Sequence, residues 1–353
     1  MRNVLVTGGA GFIGSNFIQY VLNRHRDIAC LVNLDLLTYA GNLENLCKVE
    51  ADLRYHFVKG DIKDRKLVDD LFQQYNFDTV VHFAAESHVD RSIIDPEIFL
   101  TTNVIGTQVL LDTAKCHWKT TPNDKYSTEY KPGVRYLQVS TDEVYGALGE
   151  EGKFVESTPL SPNSPYSASK ASADLLVRSY FVTFGFPANI TRCSNNYGPY
   201  QFPEKLIPLM IHNACENRAL PVYGDGMQVR DWLYVEDHCS ALCAVLEQGH
   251  MGEIYNVGGS NEKTNLEIVK IILNKLGKSE NLITHVKDRP GHDRRYAIDN
   301  TKIAAQLAWK PAYTFEDGIQ KTIQWYLEHA DWVRRAINGS YKLYYEKMYD
   351  GLM

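Results

Sequence analysis

The sequence predicts an α/β fold, a doubly wound parallel sheet with a smaller C-terminal lobe built onto it, and three observations carry that reading. Short runs rich in Val, Ile and Leu alternate with amphipathic stretches. A glycine-rich turn joins the first run to the first helical stretch. Past residue 193 the alternation gives way to "NNYGPYQFPEKLIP", rich in Pro and aromatic residues, and then to shorter mixed elements.

In chain order the strand candidates are "NVLVTG", "ACLVNLD", "RYHFVKGD", "DTVVHFAA", "VRYLQVS" and "PANITRC". A parallel strand is covered by helices on both faces, so it reads as a short continuous apolar run. Apolar spacing at three and four residues places helices over 12–24, 64–75, 96–116 and 164–184. The polar stretch 119–133, with Pro122, Pro132 and Gly133, reads as a surface loop. The chain so divides into a first domain over 1–193, a lobe over 194–330 from which some strands and helices can return to that domain, and a C-terminal tail over 331–353.

Composition narrows the function. With 353 residues, 44% hydrophobic and 23% charged, the chain can bury a sizeable core. A net charge of −6 supplies no basic footprint for nucleic acid. The seven cysteines include no C-x-x-C pair and read as small buried hydrophobes in a reducing cytosol. The apolar run at the N-terminus is too short for a signal-peptide core, and no stretch approaches the roughly 20 apolar residues of a membrane span. A cytoplasmic protein with no membrane partner is expected. His82, His88 and Asp90 read as structural, since nothing near them has metal-ligand spacing, and no metal is expected.

"VLVTGGAGFIGSNF" sets Gly8, Gly11 and Gly14 between a strand and a helix. Such glycines allow a tight turn and let a dinucleotide's pyrophosphate approach the helix N-terminus, the Rossmann arrangement. Asp35 ends the next strand, 21 residues past Gly14. An acid there accepts hydrogen bonds from both ribose hydroxyls and repels a 2'-phosphate, so the expected cofactor is NAD. Asp61, in "KGDI" after the third strand, is a weaker candidate near the adenine.

"PNSPYSASKASADLL" offers Tyr166 and Lys170 on one helical face. A phenol with a pKa near 10 needs a neighbouring ammonium to act as a base near neutrality. A second such pair, Tyr55 and Lys59, falls in a strand, where four residues span about 13 Å and no cooperation follows. With Thr141 at the end of the strand before it, the first pair suits oxidation of a secondary alcohol by NAD. "STDEVYG" adds two adjacent acids, Asp142 and Glu143, at the sheet edge; in isolation they also suit an acidic helix N-terminus.

The glycine motif, Asp35 and the Thr/Tyr/Lys set together resemble the extended short-chain dehydrogenases/reductases over nearly the whole chain. "STDEVYG", "AAESHVDRSI", "PYSASKA", "SNNYGPYQFPEKLIP", "RDWLYVEDH" and "DRPGHDRRYAID" are similar to that family's sugar-nucleotide 4,6-dehydratase branch. The resemblance implies dehydration of dTDP-glucose through C4 oxidation, loss of water across C5 and C6, and hydride return to C6, in deoxysugar biosynthesis. A C4 ketone makes the C5 proton acidic, so one carboxylate can remove it while a protonated acid assists the C6 oxygen. Two adjacent acids sharing one proton supply both roles. Which acid does which is left open by the sequence chemistry; the resemblance makes Glu143 the base and Asp142 the acid.

The resemblance also implies the contacts. It sets Phe12, Ile13, Thr38, Ile62, Ala84, Ala85, Thr102 and Asn196 around the cofactor with Gly8, Gly11, Gly14, Asp35, Asp61, Tyr166 and Lys170. It sets Ser87, Thr141, Asn195, Lys205, Leu206, Pro221, Tyr223, Arg230, Asn265, Arg289 and His292 around the substrate. Ser87 read alone is a helix cap and the paired asparagines a turn. Helices near 96–116 and 164–184 are implied to pair with a second copy in a homodimer. Three rivals stand beside this reading: a UDP-sugar 4,6-dehydratase, a sugar-nucleotide 4-epimerase, which has no use for the paired acids, and an NAD-binding sensor without catalysis.

Overall fold

The computed structural model describes residues 1–288 and 291–337. The chain begins β1 (Asn3–Thr7), α1 (Phe12–Arg24), β2 (Cys30–Asp35), β3 (Tyr55–Lys59), α2 (Arg65–Tyr75) and β4 (Thr79–His82). Val4, Leu5, Val6, Val32, Val80 and Val81 are buried to 1% exposure or less, which is why these strands are apolar without alternation. There follow α3 (Val89–Ile94), α4 (Pro96–Leu100), a π-helical turn (Thr101–Gly106), α5 (Thr107–Trp118), β5 (Arg135–Thr141), a 3-10 turn (Asp142–Tyr145), α6 (Pro165–Phe184) and β6 (Ala188–Cys193).

Beyond these lie β7 (Asn195–Tyr197), α7 (Leu206–Cys215), β8 (Leu220–Tyr223), β9 (Val229–Tyr234), α8 (Val235–Gln248), β10 (Ile254–Val257), β11 (Glu262–Thr264), α9 (Asn265–Leu276), β12 (Ile283–Val286), α10 (Thr301–Leu307), α11 (Phe315–Glu328) and α12 (Ala330–Ala336). The six expected strands and β10 form one seven-stranded sheet in the order β10-β6-β5-β4-β1-β2-β3. Every neighbouring pair is parallel, as the doubly wound reading requires. The order reverses between β1 and β4, and a crevice at such a switch point is where open α/β sheets hold ligands.

Two smaller sheets, β11-β9-β7 and β12-β8, make the lobe. Its core joins Tyr197, Trp232, Ile268, Ile319 and Trp325. The segment after β6 does not stay in the lobe: β10 pairs with β6, and Leu242 of α8 and Ile303 of α10 pack in the core of the large sheet.

Two elements differ from expectation. The helix expected over 96–116 is broken by the π-helical turn, because Asn103 is buried and tied to Glu86 and Ser169, and Gly106 packs against Ile62. The expected tail begins as α12, with Trp332 and Val333 buried; its residues 338–353 lie outside the described residues. By contrast α6 starts where the sequence places it. Ser164 and Ser167 form a capping box, Pro165 takes the first helical position, and Gly185 closes the helix at φ +64°. This fixes Tyr166 in the first turn.

Candidate active site

A cleft of about 370 Å³ opens along the C-terminal ends of β1, β2, β4, β5 and β6. Its floor is backbone. A Cβ on Gly8, at φ +72°, would sit 2.5 Å from Ala84 N, and one on Gly14 would sit 2.4 Å from Gly8 O, so neither position accepts a side chain. Gly11 caps α1 without a side-chain hydrogen bond, leaving the first amides of the helix to an anion. Asp35 is buried, its two oxygens accepting from Leu37 N and Ala10 N, both at 2.8 Å. Burial pushes its pKa up, against those two bonds. A glycine cradle too tight for any Cβ, an uncapped helix N-terminus and a carboxylate at the next strand end fit a dinucleotide with an unphosphorylated ribose.

Every residue expected around the cofactor lines this cleft: Gly8, Gly11, Phe12, Ile13, Gly14, Asp35, Thr38, Asp61, Ile62, Ala84, Ala85, Thr102, Tyr166, Lys170 and Asn196. The π-helical turn is what brings Thr102 there. Asn196 is oriented by His238, whose Nδ1 lies 2.9 Å from its Oδ1.

Thr141, Asp142, Glu143, Tyr166 and Lys170 meet at the middle of the same cleft. Thr141 ends β5, and its Oγ1 accepts from Glu143 N at 3.2 Å and donates to Asp142 Oδ1 at 3.3 Å. Tyr166 is 8% exposed and Lys170 5%. The Lys170 ammonium donates to Val139 O at 2.8 Å, and burial pushes its pKa down. Burial, and then the charge of Glu143, push the Tyr166 phenol well above its usual range, with a hydrogen bond from Thr141 opposing them. The helical spacing predicts that Lys170 favours the phenolate; here burial and the acids work against the phenolate, and the ammonium bonds to Val139 O instead. Tyr55 and Lys59 lie on β3, where Tyr55 Oη accepts from Asn33 Nδ2 at 3.1 Å.

The two acids occupy different surroundings. Asp142 is 1% exposed, and burial first, then the charges of Glu143 and Asp231, push its pKa well above the carboxylate range. Its Oδ2 finds no partner among the described residues. Glu143 is half-buried and lines the cleft. Burial thus separates the pair: Asp142 is sealed with its pKa raised, whereas the half-buried Glu143 lines the cleft.

Of the residues expected around the substrate, Ser87, Thr141, Asn195 and Lys205 line this cleft, with Lys205 Nζ donating to Ser87 O at 3.3 Å. Leu206, Pro221, Tyr223, Arg230, Asn265 and His292 are not part of that lining; they lie at the starts of α7 and α9, on β8 and β9, and, for His292, in the segment between β12 and α10. There the Tyr223 ring meets His292 edge-on at 6.1 Å, and Arg230 sits 4.4 Å over Tyr296 while donating to Asp293 O at 2.9 Å. The charge of Arg230 also acts on Asp142, against the rise in its pKa. Arg289 lies outside the described residues.

Sequence reasoning missed Tyr39, Glu86, Phe202 and Glu204, which also line the cleft. Arg91 lies 3.8 Å over the Tyr39 ring and donates to Glu204 at 3.4 Å, joining the cofactor loop to the lobe. The signal was available for Glu204, beside Lys205 in "FPEK", and for Tyr39, four residues past Asp35.

The family model described as GDP-mannose 4,6 dehydratase matches residues 5–322. The chain is 54% identical to dTDP-glucose 4,6-dehydratase of Xanthomonas campestris, covering 97% of this chain and 98% of the relative. Among solved structures it is similar to dTDP-glucose 4,6-dehydratase of Bacillus anthracis in complex with NAD, at 48% identity and TM-score 0.86, covering 95% of this chain and 100% of that one. It is likewise similar to the Streptomyces venezuelae enzyme with NAD and dTDP bound, at 47% identity and TM-score 0.88, with the same coverage.

Proposed function

The chain belongs to the dTDP-glucose 4,6-dehydratases of the extended short-chain dehydrogenase/reductase family, and from that premise we propose the reaction and the roles of its residues. It is an NAD-dependent lyase that converts dTDP-glucose to dTDP-4-keto-6-deoxyglucose for deoxysugar synthesis. NAD, which Gly8, Gly11, Gly14, Asp35 and Lys170 would hold, would supply a reversible hydride acceptor for the oxidation at C4 and the return to C6.

The rest is done by the chain's own groups. Gly8, Gly11 and Gly14 admit the pyrophosphate, and Asp35 holds the ribose hydroxyls. Tyr166 removes the C4 hydroxyl proton, with Thr141 hydrogen-bonded to that hydroxyl and Lys170 steadying the nicotinamide ribose. The acid turn performs the elimination: Glu143 takes the C5 proton, now α to a carbonyl, and Asp142 gives its proton to the departing C6 oxygen. The observation that carries this assignment is the buried Asp142, whose pKa is raised by burial and whose Oδ2 has no partner among the described residues, next to a half-buried Glu143 that lines the cleft. A 4-epimerase needs no such pair. Arg230, His292 and Tyr223 then supply the diphosphate and nucleoside end, Arg230 through the planar fork that suits phosphate.

The purified protein, incubated with dTDP-glucose and UDP-glucose in parallel, is expected to give a product that absorbs in alkali, faster from the thymidine compound. Faster turnover of the uridine compound overturns the base assignment, and an epimer overturns the reaction.

The homodimer is part of this proposal. Leu100 and Ile105 beside α5, and Leu175 and Val182 on α6, are exposed apolar side chains on adjacent elements, at 50% exposure or more. Leu175→Glu with Val182→Glu is expected to give a monomer in sedimentation. Among the described residues no helix is long and apolar enough to cross a membrane, which agrees with the proposed cytoplasmic location.

A further inference from the structure

We propose that α12 braces the cofactor turn, and that Trp332 and Asn45 are positioning residues for NAD. Trp332 Nε1 donates to Asn45 Oδ1 at 2.9 Å, across 287 residues of sequence. Asn45 Nδ2 in turn donates to Ala10 O at 2.9 Å. Ala10 stands inside the glycine turn, and its own N–H is held by Asp35 Oδ2 at 2.8 Å. The relay, with Asn42 N donating to the same carbonyl at 3.0 Å, therefore holds the peptide that joins Ala10 to Gly11, immediately before the N-terminus of α1 that lines the cleft. Both side chains are enclosed, Asn45 at 1% exposure and Trp332 at 5%, so no water substitutes for either bond.

Further contacts hold α12 in place. Arg335 donates to both carboxylate oxygens of Glu44, at 2.8 and 3.0 Å. The Trp332 ring packs edge-on against Trp325 at 5.2 Å and Tyr200 at 6.2 Å. From α11, Tyr326 Oη donates to Gln201 O at 2.6 Å, and Gln201 Nε2 donates to Asn196 O at 2.9 Å. One aromatic cluster so grips the glycine turn on one side and the Asn196–Gln201 segment on the other, both of which line the cleft. The purpose rests on the dehydratase reading: a hydride parked for part of the cycle is lost if reduced cofactor departs, so the cofactor must be retained. The geometry does not depend on it.

The test is the rate at which bound NAD leaves the purified holoenzyme on dilution, in the absence of sugar. Trp332→Phe keeps the ring and deletes the N–H; Asn45→Asp keeps the acceptor for Trp332 and deletes the donor to Ala10. Each is expected to speed NAD loss roughly tenfold, the scale of one buried hydrogen bond, and the double variant no further, because both cut one relay. Trp309→Phe removes a comparable bond, from Nε1 to Ser240 Oγ at 2.8 Å, away from the cofactor, and is expected to leave the rate unchanged. If Trp332→Phe and Asn45→Asp retain NAD like the parent, or Trp309→Phe loses it as fast, the brace is refuted. Since no sugar is present, that failure leaves the dehydratase reading standing, whereas a parent enzyme that makes no ketosugar refutes the reading and leaves the brace.

Discussion

The floor of the cleft and its acid turn solve different problems with different materials. The floor is backbone: glycines where a Cβ would meet Ala84 or Gly8, an uncapped helix end, and one carboxylate held by two amides. The turn after β5 is side chains, and there two neighbouring acids diverge because one is sealed and the other is not. Backbone shape suffices to bind a ligand that ends the cycle as it began. Moving protons in opposite directions requires groups of one kind in unlike environments.

The sharpest break of that comparison is Tyr166→Phe. It removes the base of the first step, and turnover is expected to fall at least about a thousandfold, with no reduced NAD appearing when sugar is added. A variant that still reduces its bound NAD would show that another group takes the C4 proton. Asp142→Asn with Glu143→Gln strikes the other region. Ketosugar formation is expected to fall about a hundredfold or more while absorbance of reduced NAD builds up on the enzyme, because oxidation is spared. No such absorbance means that the acids act earlier or only hold the turn.

The floor can be tested without stopping the chemistry. Asp35→Ser removes the charge that meets a 2'-phosphate, and the preference for NAD over NADP is expected to shrink about tenfold in kcat/KM. An unchanged preference places discrimination elsewhere.

The smallest effect concerns two buried histidines. His82 bridges Thr7 and Thr107, His238 holds Asn196, and burial pulls both pKa values down to about 3. Both are neutral in the fold, and the unfolded chain binds protons below about pH 6.5 where the fold does not. Their stabilisation is thus complete above about 6.5 and is lost as pH falls toward 3, by up to about 1.4 kcal/mol per pH unit for each. Asp142 acts in the opposite sense, since its raised pKa favours the fold at low pH. Urea unfolding between pH 5 and 7 is expected to show a shallower slope in His82→Gln than in the parent; equal slopes mean that His82 does not set it.

What was legible in the sequence follows the same division. The six strands show because burial on both faces makes each an unbroken apolar run, and the glycine turn shows because its spacing is a backbone requirement. β10 is a four-residue strand reached after a long detour through the lobe, and only its pairing with β6 identifies it. The π-helical turn arises from contacts of Asn103 and Gly106 with distant residues, which no local pattern records. Asp142 and Glu143 look alike in sequence; the rise in the Asp142 pKa follows only when its burial and the charges of Glu143 and Asp231 are in view. Trp332 appeared to belong to a tail because its partner is Asn45.

The central claim is that oxidation at the floor and elimination at the acid turn belong to one cycle. It is tested most directly by converting dTDP-glucose deuterated at C4, and, separately, unlabelled substrate in heavy water. The account predicts that the C4 deuterium appears at C6 of the product and that solvent deuterium appears at C5. Return of the label to C4, with C5 untouched, would contradict it.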